Sequence, residues 1–312
     1  MTISSGGLIQ ASDYNTLRTT VSDILGTTGT TTVGYGQVIE SDTTVAAGDL
    51  ISARTTTLKQ WVSLYNDMKK IADHQGTNIS ALTTAYTDNI KSGSLIQYSD
   101  INLISTTLTT LYNNRLNVAN GYFSIESLTS STRSTQWGAP SKTTVQHSFT
   151  VTFASYNAAR YFFNTGGAIQ FTASRSGGSV TSQNTDWTNM LSNIGTVVFN
   201  YNGTSASSGT GSAYGFYQLG ASALQIYTKG GNAGAGAVYA NNDYTITASI
   251  AGAVITFNVY FNDDAKNSNS IWGTFDFVDG TLTSTVQIKR ATVAGGVTVT
   301  APSATNTTLL ST

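Results

Sequence analysis

Chemistry needs reactive groups at fixed spacings, and this chain of 312 residues offers few of them. It has two histidines and no cysteine. His74 stands in Asp73-His74-Gln75-Gly76, at the end of a segment with helical spacing, where an imidazolium would suit the negative end of a helix dipole. His147 alternates with Phe149 and Val151 on one face of a strand, which reads as a buried or interface residue with one ring nitrogen hydrogen-bonded. A metal site needs further ligands, and the sequence has neither a His-Glu-x-x-His pattern nor a cysteine cluster. It also lacks the Gly-x-Ser-x-Gly elbow of serine hydrolases and the Gly-x-x-x-x-Gly-Lys phosphate loop. The carboxylates Asp263 and Asp264, and Asp276 with Asp279, are the pairs a glycosidase would use. Phe261-Asn262-Asp263-Asp264 reads more simply as a turn between strands. The residues therefore indicate no catalytic centre, no cofactor and no metal.

Composition narrows the partners. Charged residues make up 10% of the chain, against roughly 25% in an average soluble domain. Thr, Ser, Asn and Gly take their place. With a formal net charge of -1, and with Lys69-Lys70 and Lys289-Arg290 as the only adjacent basic pairs, nucleic acid is excluded as a partner. Neither a signal peptide nor an apolar run of membrane-spanning length stands in the sequence, so synthesis in a cytoplasm without membrane insertion is expected.

The elements that must position these residues fall into two halves, 1–122 and 123–312. The first half repeats one phrase three times: Leu8-Ile9-Gln10-Ala11-Ser12-Asp13-Tyr14-Asn15, Leu50-Ile51-Ser52-Ala53-Arg54-Thr55 and Leu95-Ile96-Gln97-Tyr98-Ser99-Asp100-Ile101-Asn102. Each opens a segment with helical hydrophobic spacing, so a duplicated helix start is expected, capped by Ser12 and Ser99 with Asn15 and Asn102 reaching back. Leu17, Val21, Ile24 and Leu25 predict a helix from Tyr14 to Leu25. A second is expected from Thr55 to about Gln75, carrying Leu58 and Trp61, and a third runs through Ile101, Leu108, Leu111 and Leu116. Helices this short are marginal alone, so their stripes must pack on one another or on another subunit. Leu58, Trp61, Leu108 and Leu111 are the candidate assembly residues.

After Gly121 the period changes to two. Strands are expected at 145–153, 169–173, 197–201, 223–227, 244–250, 253–261 and 282–288, with further candidates at 216–219, 272–277 and 293–299. Helical interruptions are expected at 156–163 and 186–194. The reading is α+β, a helical repeat module followed by an antiparallel β-sandwich of jelly-roll character.

The phrases Gly34-Tyr35-Gly36-Gln37, the run Ala47-Gly48-Asp49-Leu50-Ile51-Ser52-Ala53 leading to Trp61, Asp73-His74-Gln75-Gly76, Ala159-Arg160-Tyr161-Phe162-Phe163-Asn164-Thr165-Gly166-Gly167, Asp186-Trp187 and Trp272-Gly273-Thr274 together resemble virion structural proteins of tailed bacteriophages, those of cyanophages especially. The resemblance extends over most of the chain. It implies a non-enzymatic neck, collar or tail fibre component whose partners are other virion proteins and copies of itself, as a trimer if it is a fibre. It supplies no catalytic residue. A second reading is a host-surface glycan-binding module with Trp187, Tyr214, Tyr217 or Tyr239 as a sugar-stacking platform. A polysaccharide-cleaving enzyme built on Asp263, Asp264, Asp276 and Asp279 stands third.

Overall fold

The computed structural model describes residues 9–46, 55–90, 96–138, 144–231, 239–264, 268–269, 274–275, 277–292 and 295–311. The chain divides into two compact units: Met1–Ser124 with Arg160–Gly166 and Arg290–Thr300, and Ile125–Ala159 with Gly167–Lys289 and Ala301–Thr312. The boundary expected at 122/123 thus falls at 124/125, and two later segments return to the first unit.

The first unit is built on α1 (Ala11–Leu25), α2 (Thr55–Gln75), α3 (Ser80–Asp88) and α4 (Tyr98–Asn113). Their apolar stripes form one core, in which Val21, Ile24, Leu64, Met68, Leu82, Ile104 and Val297 are buried together. Tyr14 meets Trp61 edge-on at 5.1 Å between ring centroids. Trp61, Leu108 and Leu111, offered by the sequence as an assembly face, are buried in this core. Their apolar surface is consumed within one chain, so they are not available as an assembly face. Leu58 lies in α2, and its side chain is outside the described residues.

Both described copies of the repeated phrase start a helix in one way, two residues earlier than the serines suggested. Gln10 and Gln97 are the N-caps. The Gln10 N–H donates to Asp13 Oδ2 at 2.8 Å, and the Gln97 N–H donates to Asp100 Oδ2 at 3.0 Å. The third helical residue therefore reaches back with a carboxylate, and charge near a helix N-terminus is favourable. Ser12 and Ser99 are already helical. Asn15 instead holds the backbone of Val45, donating to its carbonyl at 2.8 Å and accepting its N–H at 2.9 Å. The start of the middle copy lies outside the described residues.

The second unit contains β1 (Phe123–Arg133), which begins in the first unit, then β2 (Thr144–Thr152), β3 (Ala168–Ser176), β4 (Thr196–Phe199), β5 (Thr204–Ser205), β6 (Thr210–Gly211), β7 (Leu224–Gly230), β8 (Asp243–Ala251), β9 (Val254–Asn262), β10 (Ser268–Asn269), β11 (Thr274–Phe275), β12 (Thr281–Ala291) and β13 (Ser303–Ser311). Helix α5 (Tyr156–Asn164) follows β2, and α6 (Ser182–Ile194) follows β3. Five strands pair in the order β1-β12-β3-β4-β5 and six in the order β13-β2-β9-β8-β7-β6, while β10 and β11 pair as a short antiparallel ribbon. All pairs in the six-stranded sheet, and those from β12 to β5 in the other, are antiparallel. Alternation explains the burial: Ile255, Phe257, Val259 and Phe261 of β9 all point inward. Rings from the two sheets meet, Phe171 lying 4.8 Å from Phe257 and Phe199 lying 5.3 Å from it.

Two expected strands differ, and a third lies partly outside the described residues. Residues 216–218 form a 3-10 turn. Residues 295–299 carry no strand, and Val297 is buried in the helical core. Of 272–277, only Thr274–Phe275 is described as strand. Among the described residues the chain is α+β with six helices, none long and apolar enough to cross a membrane.

Candidate functional site

Each residue singled out for chemistry has an address inside the fold. His74 is fully buried and meets Tyr35 edge-on at 5.0 Å. Burial pushes its pKa down to about 4, against a smaller upward pull from the Thr165 backbone. It is therefore neutral at ordinary pH, and the imidazolium expected at the end of α2 is absent. His147 is also fully buried, with Nδ1 at 2.8 Å from Ser284 Oγ of β12. Burial, and secondarily the charge of Arg133, lowers its pKa to about 4. Among the described residues no cluster of His, Asp and Glu side chains is arranged to hold a metal ion.

Among the described residues, Asp263, Asp264 and Asp279 do not assemble into a hydrolytic pair. Asp263 is buried and accepts the Gln183 amide of α6 at 2.6 and 2.5 Å, whereas its neighbour Asp264 is exposed. Asp279 staples a turn: it accepts from Ser179 Oγ at 2.7 Å, from the Ser179 N–H, and from Asn184 Nδ2 at 2.5 Å, and it pairs with Arg175 at 3.2 Å. The Ser179 contact, with smaller help from Asn184 and Arg175, holds its pKa below the usual carboxylate value. Asp276 lies outside the described residues. Charge-assisted hydrogen bonds of this kind hold loops and helix ends in place.

Three phrases noted in the sequence meet around Tyr35, which the spacing alone did not reveal. Tyr35 Oη donates to the Arg115 carbonyl at 2.6 Å and accepts from Gln75 Nε2 at 3.0 Å. Gln75 also reaches the Leu111 carbonyl at 2.9 Å. On the other side Asn164 Nδ2 donates to the carbonyls of Thr31, Val33 and Gly34 at 3.1, 2.8 and 3.1 Å, and Arg160 donates to Val33 at 2.6 Å. Gly36, at φ 71°, has no room for a side chain because the Tyr161 ring covers it. This is a latch that joins the loop 31–37 to α2, α4 and the end of α5. A second carboxylate anchor, Asp67 of α2, accepts the N–H groups of Glu40 and Ser41 at 2.9 and 2.8 Å.

The proposed sugar platform is divided by burial. Trp187 and Tyr239 are in the interior, so they cannot stack on a ligand. Tyr214 is 44% exposed and Tyr217 is half-buried. Tyr156, which periodicity assigned only to a helix, is likewise open to solvent: it is 48% exposed and lies 5.5 Å from the buried Phe216 ring, 31° from parallel. The signal for it was available in the sequence as the first residue after the helix-capping Ser155, whose Oγ accepts the Ala158 N–H at 3.0 Å. Asp186 was missed as a titratable site. It is fully buried in α6, and neither carboxylate oxygen has a hydrogen-bond partner among the described residues. Burial raises its pKa to about 6.

No protein-family model, curated protein or solved structure matches the chain.

Proposed function

We propose that this chain is a structural subunit of a tailed-bacteriophage particle, of neck, collar or tail fibre type, acting through protein–protein assembly. The observation that carries the reading is the employment of its potentially reactive groups as fold staples: Asp67 anchors a loop, Asp263 grips Gln183, Asp279 ties a turn, and His147 spans from β2 to Ser284. What such a chain presents to partners is a surface of Ser, Thr, Asn and Gly with 10% charged residues overall. Many identical copies can pack closely with such a surface, because like charges do not accumulate at each contact.

The β unit is a sandwich of jelly-roll character. Supporting this, successive strands β1, β2 and β3 alternate between the sheets, β12 inserts between β1 and β3, and β9 pairs with β2. The edge strands β1 and β13 are stitched by side chains, Thr129 to Asn306 and Ser131 to Thr308, each at 2.5 Å. The meander from β6 to β9 is an elaboration of that plan. The helical module is a duplicated helix start, supported by the matching carboxylate caps of α1 and α4. The chain is made in a host cytoplasm, joins other virion proteins and forms a homo-oligomer, a trimer if it is a fibre. Antibody labelling of purified particles under the electron microscope tests the assignment, with label at a fixed place on the neck or tail as the expected result. Particles without label, when the denatured particle proteins also lack the chain, overturn it.

A further inference from the structure

We propose that Tyr156 and the loop from Asn200 to Gln218 form a binding site for an uncharged saccharide. The loop belongs to the second unit, and the whole run from Trp187 to Thr228 contains no Asp, Glu, Lys or Arg. The loop itself therefore supplies no counter-charge for a phosphate, a sialic acid or a uronic acid. What the site does offer is aromatic surface: Tyr156 and Tyr214 are exposed, Tyr201 and Tyr217 partly so, and the buried Phe216 ring packs against Tyr156 at 5.5 Å and against Tyr217 at 5.0 Å between centroids. Half-exposed rings leave apolar surface in contact with water, and the C–H face of a pyranose is a surface that covers it while the sugar hydroxyls stay hydrogen-bonded.

The loop is pre-organised. Asn200 Oδ1 accepts the N–H groups of Asn202 and Gly203, each at 3.0 Å. The Phe216 N–H donates to the Asn200 carbonyl at 3.0 Å and the Tyr217 N–H to the Tyr201 carbonyl at 3.2 Å. Thr204 Oγ1 donates to the Tyr214 carbonyl at 3.0 Å. Gly215 sits against the backbone of Asn202 and Gly203, where a side chain has no space. Such a network fixes the loop backbone before any ligand arrives, which lowers the entropy cost of binding. Gln218 completes the site. Its Oε1 accepts the Gly215 N–H at 2.9 Å, which fixes the amide and leaves Nε2 without a protein partner among the described residues. A held amide donor in the same loop as the tyrosines matches a sugar hydroxyl.

The assignment does not depend on the particle reading, since the free chain should bind. The purified full chain is applied to an array of immobilised neutral hexose and N-acetylhexosamine oligosaccharides, with sialylated and uronate-bearing ones alongside. The strongest neutral binder is then titrated in solution. Binding to neutral saccharides is expected, with affinity unchanged between about 50 and 200 mM salt. Tyr214→Ala should weaken it about tenfold or more. Gln218→Glu keeps an oxygen for the Gly215 N–H and removes the free donor, so it should weaken binding while leaving the melting temperature unchanged. Tyr98→Ala, at an exposed tyrosine of the first unit, should change nothing. Absence of neutral binders, preference for the acidic glycans, or full affinity in both loop variants overturns the proposal.

Discussion

Asp186 is the residue whose chemistry and burial are most at odds. Its folded pKa of about 6 lies above the roughly 3.9 of an unfolded aspartate. Between those values the folded chain binds more protons than the unfolded one, so this group's contribution to stability is fully present below about pH 4 and is lost as pH rises through about 6. The two histidines act in the opposite sense. Each is held neutral with a pKa near 4, so their contribution is present above about 6.5 and is lost as pH falls through 4. The windows overlap, and the parent's pH profile alone cannot separate them. Asp186→Asn isolates the carboxylate: the variant should be more stable than the parent by on the order of 1–2 kcal/mol at pH 7.5, and the difference should vanish near pH 4. Thermal melts of both proteins across that range measure it, and a pH-independent difference would sink the explanation. None of this was legible in the sequence, where Asp186 is one more aspartate near a tryptophan. Its state follows from helix α6 being buried by the sheets, a long-range fact.

At the scale of elements, periodicity carried the reading where apolar side chains mark every turn or every second residue. α1, α2, α4 and the central strands β2, β8, β9 and β12 are of that kind. It failed for α3, with Leu82, Ala85 and Tyr86 as its only buried positions, and for β1 and β13, whose Ser and Thr residues give no alternation. The cap positions were displaced because Asp, not Asn, reaches back to the N-cap. The latch around Tyr35 is invisible to periodicity for a different reason: its partners are 40 and 80 residues away in sequence. Tyr35→Phe deletes the hydroxyl that donates to the Arg115 carbonyl and accepts one N–H of the buried Gln75 amide, which keeps its bond to the Leu111 carbonyl, so a loss of about 1–3 kcal/mol is expected in denaturant unfolding. Thr31 in the same loop has φ 52°, the left-handed region that a β-branched residue enters with strain. Asn tolerates that conformation, and Thr31→Asn should therefore stabilise by about 1 kcal/mol. An unchanged or lower melting temperature would show that the Thr31 side chain contributes more than its backbone costs.

For the whole molecule, the composition and the change of period near Gly121 divide the chain at about the right place, yet a cut there does not release a complete unit. The first unit includes Arg160–Gly166 and Arg290–Thr300. Those segments supply Val297 to the helical core, the Asn164 and Arg160 clamp on the loop 31–37, and the Thr298 carbonyl that accepts from Gln37 Nε2 at 2.8 Å. A fragment of residues 1–122 loses all of them. Removing Val297 alone resembles a large-to-small core substitution, costing about 1–3 kcal/mol, and the lost clamp leaves three carbonyls without their amide donor. Against a typical total of about 5–15 kcal/mol, the fragment should keep its helices by circular dichroism but melt broadly and at lower temperature than the intact chain. Hydrogen exchange should show the loss of protection centred on α2 and the loop 31–37. A sharp melt of the fragment with full protection at Tyr35 and Gln75 would mean that the four helices alone determine the unit, and that the returning segments merely rest on it.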